Sequence, residues 1–130
     1  MTRRRWMTTI CAGGAALLAA CTRDDAEERM VDVDQSRPSP TGSVLALLVE
    51  DGDTLRPAIQ DAESGDELWR DDLPHVERYR PGVLWEQDAD VLWILSTDHG
   101  HASVREDSAG AWVKTMGSEG MPEDIAALAR

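Results

Sequence analysis

The chain contains 130 residues, with 25 Asp or Glu against 13 Lys or Arg and a formal charge of −12 at pH 7. This length leaves room for one domain and excludes a multidomain enzyme. Apolar residues form 42% of the chain, an ordinary share for a globular protein. The composition therefore predicts a folded domain despite the strong charge.

The N-terminal residues have the layout of an export signal. Arg3, Arg4 and Arg5 stand at the start, and residues 6–22 carry no charge. A basic segment followed by a short apolar one is typical of a signal peptide. A helix that spans a bilayer needs about 20 mainly apolar residues. We therefore predict a signal peptide over residues 1–20, with a membrane span as the alternative.

The end of this uncharged run carries a more specific pattern. Leu18-Ala19-Ala20-Cys21 resembles the lipobox of bacterial lipoproteins at all four positions. The resemblance implies that the signal is cleaved before Cys21, whose acylation would add a diacylglycerol and fatty acids such as palmitate. It further implies a lipoprotein held on the extracytoplasmic side of a cell membrane by the lipid on Cys21.

The start of the chain indicates two export routes. Thr2 to Met7 is similar to the twin-arginine signal, from which this sequence departs at Trp6, Met7 and Thr8. That route implies a domain that crosses the membrane already folded. The general secretory route accepts an arginine cluster as well and stays open as the alternative.

Processing before Cys21 would change both the cysteine content and the charge. Cys11 lies in the predicted signal and Cys21 would carry lipid, so no disulfide is expected. Removal of residues 1–20 takes away three arginines and no acidic residue, which leaves ten cations against 25 carboxylates and a charge of −15. Such acidity disfavours nucleic acid and anionic headgroups as partners. It favours a cation or a basic protein.

Residues 21–40 are predicted to be the acylated cysteine and a flexible, charged tether. Charged residues and prolines dominate this segment, and its few large apolar side chains are Met30, Val31 and Val33. A short strand over Met30 to Val33 is the alternative.

Residues 41–130 are predicted to form a mainly β domain. Val44 to Val49 is a continuous apolar run, typical of a central strand covered on both faces. Further strand-like stretches follow at hairpin spacing, and Pro122 predicts a short C-terminal helix. We expect a small antiparallel sheet or a two-sheet sandwich of about seven short strands. The further stretches are Leu55–Asp61, Glu67–Arg70, Gly82–Trp85, Val91–Thr97, His101–Glu106 and Ala111–Met116.

Two segments are similar to the hairpins of β-propeller blades. They are Ser39–Ala46, with its Ser-Pro-Thr-Gly start, and Asp61–Trp69, with its Asp-x-x-x-Gly-x-x-Leu pattern. A closed propeller takes at least about four blades of four strands. The chain is too short for that, so the resemblance implies blade-like hairpins only.

Histidines and paired aspartates are the candidate metal ligands. His99 and His101 lie on one side of an extended segment, where a zinc site would need Asp98 or the distant His75 as a third ligand. Asp51 with Asp53 and Asp88 with Asp90 offer fewer oxygens than calcium requires. Because Asp98-His99-Gly100 also suits a hairpin turn, we predict no metal site, with His75, His99 and His101 as the candidates if one exists.

The tryptophans are predicted to serve the core. The chain has no Phe, so the indoles of Trp69, Trp85, Trp93 and Trp112 supply its aromatic volume. Trp85 precedes Glu86 and Gln87 directly, which makes it the best candidate for a partly exposed binding residue.

No residue pattern indicates catalysis. The sequence has no Gly-x-Ser-x-Gly elbow and no Gly-x-x-x-x-Gly-Lys loop, so neither an enzyme nor a cofactor is predicted. We expect a membrane-anchored extracytoplasmic lipoprotein whose acidic β domain is a binding or accessory module for a protein partner. The alternative is a lipoprotein that binds a divalent cation through His75, His99 and His101 or through the aspartate turns.

Overall fold

The computed structural model describes residues 25–129. The predicted signal peptide and Cys21 lie outside the described residues. Within them the chain forms two antiparallel sheets and a short C-terminal helix, which confirms the predicted mainly β fold with two sheets.

The first sheet has five strands, four of which follow one another as three successive antiparallel pairs. Its order is β1-β2-β3-β4. Both β4 and β5 pair with the same edge of β3, β4 with its C-terminal half and β5 with its N-terminal end. Gly52 and Gly65 lie in the β2–β3 and β3–β4 turns with φ of 65° and 81°, a conformation that side chains with a Cβ disfavour. The strands are β1 Arg37–Pro38, β2 Val44–Asp51, β3 Thr54–Asp61, β4 Glu67–Arg70 and β5 His75–Val76.

The second sheet is a four-stranded meander in the order β6-β7-β8-β9. A 3₁₀ turn over Glu77–Tyr79 leads into it, and helix α1, Glu123–Ala129, follows it. Each pair of neighbouring strands is antiparallel. The strands are β6 Gly82–Trp85, β7 Leu92–Leu95, β8 Ala102–Glu106 and β9 Trp112–Met116.

The main core lies between the facing sides of the two sheets. Every second residue of β2 is buried, and these residues pack with side chains of β3, β6, β7 and β8. The alternation follows from the two-residue period of a strand. The core residues are Val31, Val44, Ala46, Leu48, Leu55, Ile59, Val83, Trp85, Leu92, Ile94 and Val104.

A second apolar cluster covers the outer side of the four-stranded sheet. Trp93 and Leu84 face outward there and are fully buried under Ile125 of α1 and under Ala26. Pro122 directly precedes α1, and its carbonyl accepts backbone hydrogen bonds from the N–H groups of Ile125 and Ala126. The N–H that proline lacks is one that a helix start leaves unpaired, so the proline costs the helix no bond. The second sheet is therefore covered on its inner side and, over β6 and β7, on its outer side.

The structure differs from the predicted tether over its described part, residues 25–40. Residues 25–28 are helical, Ala26 and Val31 are buried, and the Val31 N–H donates to the Val83 carbonyl at 2.8 Å. The physical reason is that the outer face of the second sheet is too apolar to remain in water, and Ala26 with Met30 helps to cover it. The alternative strand at Met30 to Val33 does not form either.

Two further differences concern the strands. The described chain has nine strands rather than about seven, because the short β1 and β5 pair with β2 and β3. In addition, β2 was expected to be covered on both faces, whereas its outward residues Leu45, Leu47 and Val49 are only partly buried. The sequence run is apolar on both sides, but only one side meets the second sheet.

Candidate functional site

A buried polar cluster joins the two sheets on one side of the core. Asp71 directly follows β4, His75 begins β5, and Lys114 lies in the middle of β9. The Lys114 Nζ donates to Asp71 Oδ1 at 2.8 Å, and the His75 Nε2 donates to Asp71 Oδ2 at 3.3 Å. One carboxylate therefore receives hydrogen bonds from both sheets.

The Asp71 carboxylate is ionised in spite of its burial. Its side chain has no exposed surface, and Lys114 is 14% exposed. Burial acts to raise the pKa of Asp71, but hydrogen bonds from His75, Lys114 and the Leu73 N–H outweigh it and lower the pKa from 3.8 to about 2. The cluster thus holds a negative charge and its ammonium partner in a nearly dry setting.

His99 extends the cluster by a ring contact. The rings of His75 and His99 meet edge to face, with their centroids 4.9 Å apart. The His99 Nε2 donates to the Pro74 carbonyl at 3.0 Å. The His75 Nδ1 is buried and has no hydrogen-bond partner within the described chain.

The three histidines proposed as metal ligands do not come together. His75 and His99 are in contact, but His101 Nδ1 accepts the Ser96 N–H at 3.1 Å within its own hairpin. Over residues 25–129 no three His, Cys, Asp or Glu side chains form a group that could hold a metal ion. The cluster's geometry is that of a polar connection between sheets.

The paired aspartates stabilise turns. Asp90 accepts hydrogen bonds from the Thr41 N–H at 3.2 Å and from its hydroxyl at 2.6 Å, which ties the β1–β2 turn to the β6–β7 turn. Asp51 accepts from Arg56 Nε at 3.1 Å across the β2–β3 hairpin. Asp53 and Asp88 are exposed.

Trp85 is buried rather than partly exposed. It keeps 4% of its surface, packs in the main core, and donates its Nε1–H to the Arg37 carbonyl at 2.9 Å. Trp85 lines an open cleft of about 390 Å³ together with Arg29, Pro38 and Pro40. The expectation of exposure failed because β1 and residues 25–30 cover this edge of β6.

The other tryptophans serve the core as predicted. Trp93 is fully buried in the outer cluster, and its Nε1–H donates to Glu86 Oε2 at 2.8 Å. Trp69 and Trp112 are partly buried and pack against the main core. Each indole therefore has an apolar contact, and the buried Trp93 N–H has its hydrogen-bond partner.

Neither Asp71 nor Lys114 was among the predicted site residues. Asp71 is one of 25 acidic residues, and it lies 43 positions before Lys114 in the chain. One available sign was that Lys114 is the only lysine and lies two residues after Trp112, on the same side of its strand. A cation at an inward strand position requires a buried anion opposite.

One apolar surface of the first sheet is only partly buried. Leu45, Leu47 and Val49 point away from the core, and neither apolar cluster includes them. Opposite them on β3 lie Gln60, Ala58 and Arg56. We call these three apolar β2 residues and their β3 partners the open face.

Comparisons with known proteins add no family to this description. No family model matches the sequence, and no curated protein and no solved structure matches it. Among residues 25–129 we find no helix with the length and apolar character needed to cross a bilayer.

Proposed function

We propose that this protein is a lipid-anchored extracytoplasmic lipoprotein whose acidic β domain binds a basic protein at the membrane surface. The single observation that carries the anchor is the tetrapeptide Leu18-Ala19-Ala20-Cys21 behind a basic and apolar N-terminus. The charge of −15 that would remain after cleavage supports a basic partner.

The short distance from Cys21 to the folded domain supports a partner at the membrane. The described fold begins at Asp25, four residues after Cys21. Four residues span at most about 14 Å even when fully extended. A lipid on Cys21 would therefore keep the domain beside the headgroups, where its carboxylates disfavour direct contact with anionic lipids.

The anchor is tested by exchanging each cysteine in turn. Cys21→Ser should abolish incorporation of labelled palmitate and leave the signal peptide uncleaved, because serine has no thiol to acylate. Cys11→Ser is the matched control and should be acylated and cleaved like the original chain. Palmitate labelling and the intact mass of the purified protein are the measurements. Persistent labelling of the Cys21→Ser protein would refute the anchor.

The partner is tested by crosslinking in intact cells followed by purification at two salt concentrations. We expect a basic protein at low salt and its loss at 1 M salt, where the Debye length falls to about 3 Å. Repeated recovery of no partner, or of an acidic one, would contradict this part of the proposal and leave the lipid anchor unaffected.

A further inference from the structure

The open face carries an apolar row on the first sheet that belongs to neither apolar cluster of the described chain. The inner sides of both sheets form the main core, and α1 with Ala26 covers the outer side of the second sheet at Leu84 and Trp93. Leu45, Leu47 and Val49 instead stand in a row on β2, each partly exposed. A contiguous row of partly exposed apolar side chains can serve as an interaction surface.

The two arginines on this side of the sheet are already neutralised. Arg56 Nε donates to Asp51 Oδ2 at 3.1 Å, and Arg70 NH2 donates to Glu67 Oε1 at 2.6 Å. Neither cation is therefore available to attract an acidic partner.

Acidic turns bound the open face at both ends. The β2–β3 turn lies at one end and the β3–β4 turn at the other, and β3 runs between them. Three carboxylates of these turns make no ion pair with a cation of the described chain and stand in exposed residues. They are Asp53 at one end and Glu63 and Asp66 at the other.

The dimensions of β3 set the spacing of the two acidic ends. Thr54–Asp61 has 8 residues, and a strand rises about 3.3 Å per residue, so the ends are about 23 Å apart. Residues 44–70 contain seven acidic residues and two arginines, a net charge of −5. The surface is therefore an apolar strip with negative charge at each end.

From this arrangement we infer that the open face docks a basic protein that presents an apolar strip with Lys or Arg at both ends. This inference rests on the proposed function and specifies its binding surface. Apolar contact with Leu45, Leu47 and Val49 would supply affinity, and the two acidic ends would select and orient the partner.

Charge excludes the two other occupants that an apolar face could take. A second copy docked through the same face would bring two sets of acidic turns together, and each chain already carries strong negative charge. An anionic membrane surface would meet the same carboxylates. A partner with cations at both ends compensates them instead.

The test uses the purified full chain and a fluorescent synthetic peptide as the probe. The peptide has an eight-residue centre of alternating leucine and serine, with two lysines at each end. We expect it to bind in fluorescence anisotropy. A peptide with glutamates at the ends, or with serine throughout the centre, should bind at least ten-fold more weakly, because each lacks one of the two complementary features.

Two pairs of variants locate the binding on the open face. Leu47→Thr should weaken peptide binding about five-fold or more, whereas Val113→Thr, at a half-exposed position on the outer side of the other sheet, should not. Glu63→Gln should weaken it about two-fold at low salt, and Glu119→Gln, at another exposed turn, should not. Thermal melts of each variant verify that the fold is retained.

Several outcomes would overturn the inference. The peptide assays would do so if the lysine-ended peptide did not bind the original chain, if the glutamate-ended peptide bound equally well, or if Leu47→Thr and Val113→Thr weakened binding equally. The inference would also fail if the chain bound vesicles of anionic phospholipid and Leu47→Thr removed that binding. A dimer in sedimentation that Leu47→Thr dissociates would likewise overturn it. If crosslinking in cells recovers a basic partner that Leu47→Thr still retains, the proposed function stands and the assignment to the open face is refuted.

Discussion

Replacement of Lys114 by methionine is the sharpest test of what the buried polar cluster does. Methionine has nearly the shape of the lysine side chain but no charge, so Lys114→Met removes the 2.8 Å bond to Asp71 while it retains most of the packing. The Asp71 carboxylate is fully buried and would keep only the hydrogen bonds from His75 and the Leu73 N–H. We therefore expect Lys114→Met to leave a partly compensated negative charge in the interior.

The expected loss in the free energy of unfolding follows from this geometry. Breaking a buried ion pair by removing one partner costs about 3–5 kcal/mol. Because Lys114 is 14% exposed and Asp71 keeps its other bonds, we expect about 3 kcal/mol, at the lower end of that range. For a domain of this size such a loss lowers Tm by roughly 12 °C or more.

The measurement is urea unfolding at pH 7, followed by the fluorescence of the buried tryptophans. The midpoint should fall with an unchanged slope. Arg105→Met is the matched control, since Arg105 is exposed, and should change the free energy of unfolding by no more than about 0.5 kcal/mol. The double variant Asp71→Asn with Lys114→Met should be more stable than the sum of the single losses predicts. A Lys114→Met protein as stable as the original would refute the reasoning.

Three further predictions follow from the described contacts. The pKa of Asp71 is lower in the folded state, about 2 against 3.8, so the stability that its ionised carboxylate contributes is complete above pH 5 and is lost as the pH falls towards 2. In urea titrations the difference in unfolding free energy between the original protein and Asp71→Asn should shrink by about 2 kcal/mol over that range. A difference that stays constant with pH would contradict this. Ile125→Ala should cost about 2–5 kcal/mol by thermal melting, because Ile125 is the buried side chain that fixes α1 on the second sheet; a loss below about 1 kcal/mol would mean that α1 adds little. Asp90→Ala should lower the free energy of unfolding by about 1–2 kcal/mol through the two hydrogen bonds lost to Thr41. Asp88→Ala at the nearby exposed position should have no measurable effect, and equal losses for the two variants would disprove the role of Asp90.

Residues close in sequence allowed the hairpins to be predicted. Gly52 and Gly65 mark turns between segments of suitable length, and the strands on either side pair in the order in which they occur. The short β5 was missed because two residues between Pro74 and a 3₁₀ turn carry no periodic pattern. Its pairing with β3 depends on where the preceding loop returns to the sheet.

The candidate site was predicted only in part. His75, His99 and His101 were predicted as the candidate metal ligands, but the neighbours of each depend on how the sheets pack. His99 contacts the loop before β5, whereas His101 bonds within its own hairpin. The pairing of Asp71 with Lys114 joins residues 43 positions apart in different sheets. No local pattern encodes such a pair.

Residue identity and short spacing were enough to establish several features of this protein. These are the lipobox resemblance at Cys21, the acidic charge, the hairpins and the mainly β class. Which faces are covered depends on how the sheets pack, because the alternation of side chains along a strand does not specify what packs against them. This packing holds residues 25–40 against the sheets, buries Trp85, and leaves Leu45, Leu47 and Val49 only partly buried.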